Sequence, residues 1–280
     1  MKVRRIKDVQ IPPYKINKRK RKIKRILRFV KCLLVTILFA MTIVYAALSP
    51  YFNIEKFDIS KSLHYDENHL MEASRIQKGR NGFRTLFSGA GKFYLFRIGT
   101  AERNIEDSCP YVKDAIVRYV IPSTVSIEVE ERVAAAVVRM NDINVLIDRE
   151  GFLLEFDTEM VHTELPVIVG IELESPKLGD KIGVSEKILL SAFKVFDTIS
   201  EVDGSKEDML LPHVDYVDVG DPYNIGFSLQ SRVIVNLGEI DDLYYKITAA
   251  KTIFTQNIKS TERGKLDCSS SANPVFTPES

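Results

Sequence analysis

The sequence predicts an α+β protein hung on one membrane helix: a single N-terminal transmembrane helix, then a small β-α-α-β-β domain, then a mixed β domain with two or more helices. Three observations predict it. A dense basic arm precedes a charge-free run of membrane length. Further on, a hairpin alternates apolar with acidic residues, and beyond it short alternating runs separated by turn residues surround two stretches of helical spacing.

The membrane helix comes first. The net charge of +1 hides an asymmetry, because Met1 to Lys31 holds 14 Lys and Arg against Asp8 alone, while the other 249 residues hold 25 basic and 37 acidic groups. From Cys32 to Ile54 no residue is charged, and CLLVTILFAMTIVYAAL at Cys32 to Leu48 is nearly all apolar. With its uncharged flank the run is long enough to cross a hydrocarbon core of about 30 Å. A cleaved signal peptide fits less well, since the basic region is too long and YAALSP lacks a small-x-small cleavage pattern. Basic residues before a first span keep that side in the cytoplasm, so everything after Tyr51 is expected outside it. The arm itself lacks a sustained apolar face and is expected to be disordered or to lie on the membrane surface. Attraction to anionic lipid accounts for its charge, at about 1 kcal/mol per residue held near the surface. No nucleic-acid partner is expected.

The small domain follows. FNIEKFDIS at Phe52 to Ser60 reads as a strand, and Asp66 caps a short helix running to Ser74. GRNGF at 79 to 83 reads as a turn, because Gly and Asn tolerate positive φ. A second helix covers Ala101 to Ser108, stopped by Pro110. The hairpin arms are Val112 to Ile121 and Thr124 to Glu130, with Val125, Ile127 and Val129 alternating against Ser126, Glu128 and Glu130.

Ala134 to Met140, Asn144 to Asp148 and Phe152 to Phe156 then form a meander with turns at NDI and DREG. After LPVIVG comes a helix with Ser185 as its cap and Leu189, Ala192, Val195 or Phe196, and Ile199 on one face. Val214 to Val219, Ile225 to Leu229 and Arg232 to Leu237 return to strand. A last helix starts near Asp241 and Asp242, whose carboxylates suit its positive end, with Leu243, Ile247, Ala250 and Phe254 facing the core. The tail CSSSANPVFTPES is expected to be flexible unless a partner or a sheet edge holds it.

No catalytic constellation, metal site or cofactor site is predicted. His64 and His69 are five apart, which does not stack them on one helix face, and SGAGKF at 88 to 93 lacks the first Gly and the final Ser or Thr of a phosphate loop. SAFK, with Ser191 one helical turn from Lys194, imitates the nucleophile pair of penicillin-binding enzymes, but their S-D-N and K-T-G elements are absent. Cys32 lies in the span, and a bridge between Cys109 and Cys268 cannot be inferred from spacing.

The hairpin carries a resemblance. AIVRYVIPSTVSIEVEER from Ala115 to Arg132, with LIDREGFLL from Leu146 to Leu154, resembles the bacterial divisome family FtsQ, called DivIB in Gram-positive organisms. Val117, Arg118, Pro122, Thr124, Val125, Ile127, Val129, Glu131 and Arg132 fall on that family's pattern; Gly238 and Lys246 match its last strand and helix, and LDC at 266 to 268 its final strand. Two departures stand out. Lys61 replaces a common Gly, and FRTLFSGAGKFYLFRIGT lengthens the link between the two helices.

The resemblance implies a cytoplasmic tail at 1–31, a span at 32–51, a POTRA domain at 52–131, a β domain at 132–258, and a C-terminal strand and flexible tail at 259–280. It implies a non-enzymatic scaffold at the division septum that binds FtsB/DivIC and FtsL and helps regulate the septal peptidoglycan synthases. The expected partner surface is the last helix with an edge strand at 265 to 268: Tyr244, Tyr245, Lys246, Leu266, Asp267 and Cys268 are the candidates. A membrane-anchored wall enzyme using Ser191 and Lys194 and a POTRA-bearing secretion component are the other readings.

Overall fold

A run of Leu, Ile, Ala and Met without Pro or Gly is helical wherever water is absent, because a helix satisfies its backbone polar groups internally. The computed structural model describes residues 13–88, 93–140, 143–157, 164–172, 176–183, 186–204, 209–270 and 273–279, and places helix α1 over Pro13–Ala47. Every side chain from Arg21 to Ala46 is exposed, so nothing among the described residues covers the apolar run. The hydroxyls of Thr36 and Thr42 donate to the carbonyls of Cys32 and Leu38, each at 2.9 Å, which hides them from hydrocarbon. The chain thus has an N-terminal helix long and apolar enough to anchor it in a membrane by a single pass.

That helix also takes in the basic stretch from Pro13, where sequence alone suggested disorder or a surface-lying segment. Lys, Arg, Ile and Leu are sound helix formers, Pro suits the first helical position, and extending an existing helix avoids the cost of nucleation.

Two sheets follow. One has the order β1-β3-β2, from β1 Lys56–Ile59, β2 Val112–Val120 and β3 Thr124–Glu131. The other has nine strands, and the chain forms two compact units: residues 1–58, 77–98 and 118–126 in the first, residues 59–76, 99–117 and 127–280 in the second.

In the first unit the expected turn at 79 to 83 is only half right. Gly79 does carry the turn, at φ +83, but Asn81 then caps a helix that composition did not announce, α3 over Gly82–Ser88. Its side chain accepts from Arg84 N at 3.1 Å and its carbonyl from Thr85 N at 3.0 Å. Gly82 is required sterically, since a Cβ there would stand 2.1 Å from the Tyr119 ring.

In the second unit, helix α2 Glu67–Ala73 starts on Asp66, which accepts from His69 N at 2.7 Å, and α4 spans Gly99–Ser108. Glu102 and Glu106 on α4 accept the amides of Val117 and Ala115 at 3.0 and 3.1 Å, so carboxylates occupy the open side of β2.

The large sheet has the order β12-β11-β10-β9-β8-β7-β4-β5-β6. Its strands are β4 Ala136–Met140, β5 Ile143–Ile147, β6 Leu153–Phe156, β7 Val167–Val169, β8 Val214–Asp218, β9 Ile225–Leu229, β10 Val233–Gly238, β11 Gly264–Asp267 and β12 Val275–Pro278. β4, β7 and β8 run parallel through the middle, so LPVIVG supplies a central strand. Helices α5 Glu186–Asp203 and α6 Leu243–Gln256 join a core that buries Val138, Ile147, Ile168, Phe227, Val235 and Leu266. Leu189, Ala192, Val195, Phe196 and Ile199 of α5 and Leu243, Ile247, Ala250 and Phe254 of α6 belong to that core, as their spacing predicts. The expected cap Ser185 lies outside the described residues.

Asp203 and Lys251 tie α5 to α6 with a buried ion pair at 2.7 Å, and Asp203 also accepts the amides of Leu210 and Leu211. Burial opposes its charge, but these donors outweigh burial and hold its carboxyl below the usual range. Cys109 and Cys268 are both buried free thiols, each pushed up to about 11 by desolvation.

Candidate functional site

The strand at 265 to 268 was expected at a sheet edge, and it is not there. β11 pairs in parallel with β10 and antiparallel with β12, so the expected flexible tail is the edge strand itself. The reason lies in backbone parity. Gly264 N and Cys268 N donate to Arg232 O and Asn236 O, which directs the amide of Leu266, on the same side of the strand, toward β10.

The same parity fixes what β12 presents. Glu279 N donates to Arg263 O at 2.8 Å, and the register pairs Lys265 with Thr277 and Asp267 with Val275. Residues 275, 277 and 279 therefore turn their backbone groups inward, while 274, 276 and 278 turn theirs outward. Pro274 and Pro278 have no N–H, so Phe276 supplies the one outward amide of this edge, beside its own carbonyl and those of the two prolines. Two prolines at alternate positions are a device against indiscriminate strand pairing that leaves one specific donor in place.

The start of α6 lies at the same end of the sheet. Gly238 has φ +65, and a Cβ on it would stand 3.0 Å from the Ser269 Cβ, just past β11. Lys246 is buried; its ammonium bonds to Asp241 and donates to Glu239 O at 3.0 Å, closing the turn that leads into the helix. Asp241 is thereby held below the usual carboxylate range. The expected pair of capping carboxylates is corrected accordingly: Asp241 serves Lys246, and Asp242 takes a left-handed backbone with no side-chain cap. Tyr244 and Tyr245 are exposed, at 48% and 69%, with their rings edge to face. Leu266 and Cys268 are buried in the core, and the exposed Asp267 accepts from Ser269 N at 2.9 Å. Of the six candidates, then, only Tyr244, Tyr245 and Asp267 face solvent. Sequence reasoning missed Phe276, although the alternation Pro274, Phe276, Pro278 was there to be read.

A second cluster explains the hairpin's last residues. Glu131 accepts from the Ser62 hydroxyl, from the amides of Leu63 and His64, and meets His64 Nδ1 at 3.3 Å. Burial works against its charge, but those donors keep it below the usual range. His64 stacks on Tyr111 with ring centroids 3.8 Å apart, and the Tyr111 hydroxyl donates to Glu155 at 2.8 Å. Arg132 pairs with buried Asp148 at 2.7 Å and covers the Phe152 ring at 3.5 Å, while Asp148 Oδ1 accepts the amides of Glu150 and Phe152. One Glu-Arg step thus organises both the loop at 62 to 64 and the turn DREG.

Residues 52–132 match the POTRA domain of FtsQ type. The chain is 25% identical over 246 residues to the cell division protein DivIB of Clostridium acetobutylicum, covering 88% of each chain. It is 23% identical over 266 residues to DivIB of Clostridium botulinum strain Hall, covering 94% of each, and 23% identical over 219 residues to FtsQ of Corynebacterium glutamicum, covering 78% of this chain and 86% of that one. Over most of its length the chain is similar to the FtsQ/DivIB cell division proteins, and residues 52–132 carry a POTRA domain of their type. The residues that carry the resemblance have physical roles: Glu131 and Arg132 hold two turns, Gly238 supplies a positive φ beside Ser269, and Lys246 closes the turn into α6. The Ser-x-x-Lys mimic does not assemble a nucleophile pair. Ser191 donates to Lys187 O at 2.7 Å inside α5, and the Lys194 ammonium lies 3.4 Å from Ile240 O.

Proposed function

We propose that this division protein is a non-enzymatic, single-pass scaffold with its N-terminus in the cytoplasm and residues after about 52 outside, where it binds FtsB/DivIC and FtsL at the septum and helps regulate the septal peptidoglycan synthases. The orientation rests on the +13 arm preceding the span, and the arm adds attraction to anionic lipid. The exported part reads as a POTRA domain at 52–131, a β domain at 132–258 and a C-terminal strand segment at 259–280.

The observation that carries the binding role is the half-blocked edge of β12. A partner strand laid along it exchanges both hydrogen bonds with Phe276 and donates to the carbonyls of Pro274 and Pro278. Tyr244 and Tyr245 add exposed aromatic anchors at the same end of the sheet.

The edge offers a clean test. Phe276→Ala and Phe276→Pro lose the same side chain, but only the proline variant loses the outward amide, and neither touches the inward bonds of β12. With the full chain in detergent and the FtsB/DivIC and FtsL partners in solution, Phe276→Pro should bind at least about tenfold more weakly than Phe276→Ala, the ~1.4 kcal/mol of a hydrogen bond in a desolvated edge. Equal affinities of the two variants would put the interface elsewhere. Leu266→Pro is no test of partner binding, because that amide serves β10.

A further inference from the structure

We propose that the exported surface of the first unit, built by Tyr51, Phe87, Tyr94 to Phe96 and the hairpin tip Val120 to Ile121, is seated in the headgroup layer of the anionic phospholipid membrane that α1 spans. The inference rests on reading α1 as a membrane span, and it assigns a role to the lengthened link that departs from the family pattern.

Depth comes first. A hydrocarbon core of about 30 Å takes about 20 residues of helix, so a span beginning after Lys31 leaves the core near Tyr51. At that level Asn81 reaches back to the end of the span: its side-chain amide donates to the carbonyl of Ala47, the last helical residue, at 3.0 Å, and to that of Ser49 at 3.2 Å, which also accepts from Phe52 N. Ile54 and Arg80 are joined by a 2.9 Å backbone bond, and Gly79 N donates to Ile54 O at 2.8 Å. The rings of Phe52, Phe83 and Tyr119 pack edge to face in sequence, and the Tyr119 hydroxyl lies 3.0 Å from Phe52 O. α3 and the hairpin tip are therefore fastened to the residues that leave the bilayer.

Composition points the same way. Phe87 and Tyr94 are more than two-thirds exposed, Leu95, Val120 and Ile121 about half. Phe96 holds a left-handed backbone at φ 56, a conformation bulky residues rarely adopt, while its carbonyl accepts from Tyr119 N. Residues 77–98 contain five Lys and Arg and no acid, and the exported segments of this unit together hold seven basic residues against Glu55 and Asp58. The rest of the exported chain holds 18 basic against 35 acidic residues. Aromatic and aliphatic side chains among cations are the composition of a membrane interface, where rings bridge water and hydrocarbon and cations meet lipid phosphates.

The protein has no tryptophan, so single-Trp reporters are unambiguous. The full chain carrying Tyr94→Trp or Phe87→Trp is reconstituted in phosphatidylcholine and phosphatidylglycerol vesicles containing lipids brominated either just below the headgroup or near the bilayer centre. Phe39→Trp, in the middle of the span, is the reference. Phe39→Trp should lose most of its emission to the deep bromines, and Tyr94→Trp and Phe87→Trp to the shallow ones, with a blue shift relative to the denatured chain. Quenching of Phe39→Trp alone overturns the proposal and leaves the anchor standing, with a protein partner then the cover for this face. An unquenched Phe39→Trp removes the anchor and the proposal with it.

Discussion

Asp203 shows how much a single side chain carries. It receives Lys251 and two amides, so its folded pKa lies below the ordinary value of about 3.9. A depressed carboxylate pKa contributes stability that is fully present above the unfolded value and is lost as pH falls through the folded one. Denaturation of the full chain in detergent should show this loss below about pH 4, and the double variant Asp203→Asn, Lys251→Met should lack that part of the slope. Lys251→Met alone leaves a buried carboxylate without its counter-charge and should cost about 3–5 kcal/mol. A cost under about 1 kcal/mol, the range of an exposed pair, would mean that water reaches Asp203. The same logic separates Arg132 from a generic cation. Its guanidinium serves Asp148 and the Phe152 ring together, a geometry that a lysine ammonium does not reproduce.

Elements were legible where burial has a period. β3 buries Val125 and Ile127 and exposes Glu128 and Glu130, and α5 and α6 bury the stripes their spacing marks. Ile127→Asp should therefore cost several kcal/mol and Glu130→Lys little. Similar shifts of the unfolding midpoint would mean that the faces are misassigned. Two elements were not legible. α3 hides behind Gly79 and Asn81, which are turn residues in sequence but serve here as a turn and a cap on which the helix starts. β12 hides behind Pro274 and Pro278, which speak against a central strand and are tolerated at an edge because their missing amides point outward. The order of neighbours in the large sheet was also beyond local pattern, since β10 and β11 are joined through α6 and pair in parallel. That is why Leu266 was placed on an edge it does not occupy. Tyr244 and Tyr245 are exposed, as a surface role requires, while the free sheet edge lies one strand beyond the expected one.

At the scale of the whole molecule, a basic arm, an apolar helix and an acidic remainder are the charge distribution that the proposed orientation sorts across a bilayer. External protease on wall-stripped cells should remove the region after about residue 52; protection of that region would reverse the orientation. The central claim is that the free edge of β12 and the exposed start of α6 hold the division partners. It is tested most directly by placing a photo-crosslinking amino acid at Tyr245 or Thr277 of the full chain in dividing cells, with the exposed Val133, next to β4 and far from β12 in the strand order, as comparison. Crosslinks from 245 and 277 to FtsB/DivIC or FtsL, in clear excess over those from 133, are the predicted result. Crosslinks to these partners that are no more frequent from 245 and 277 than from 133 would contradict it.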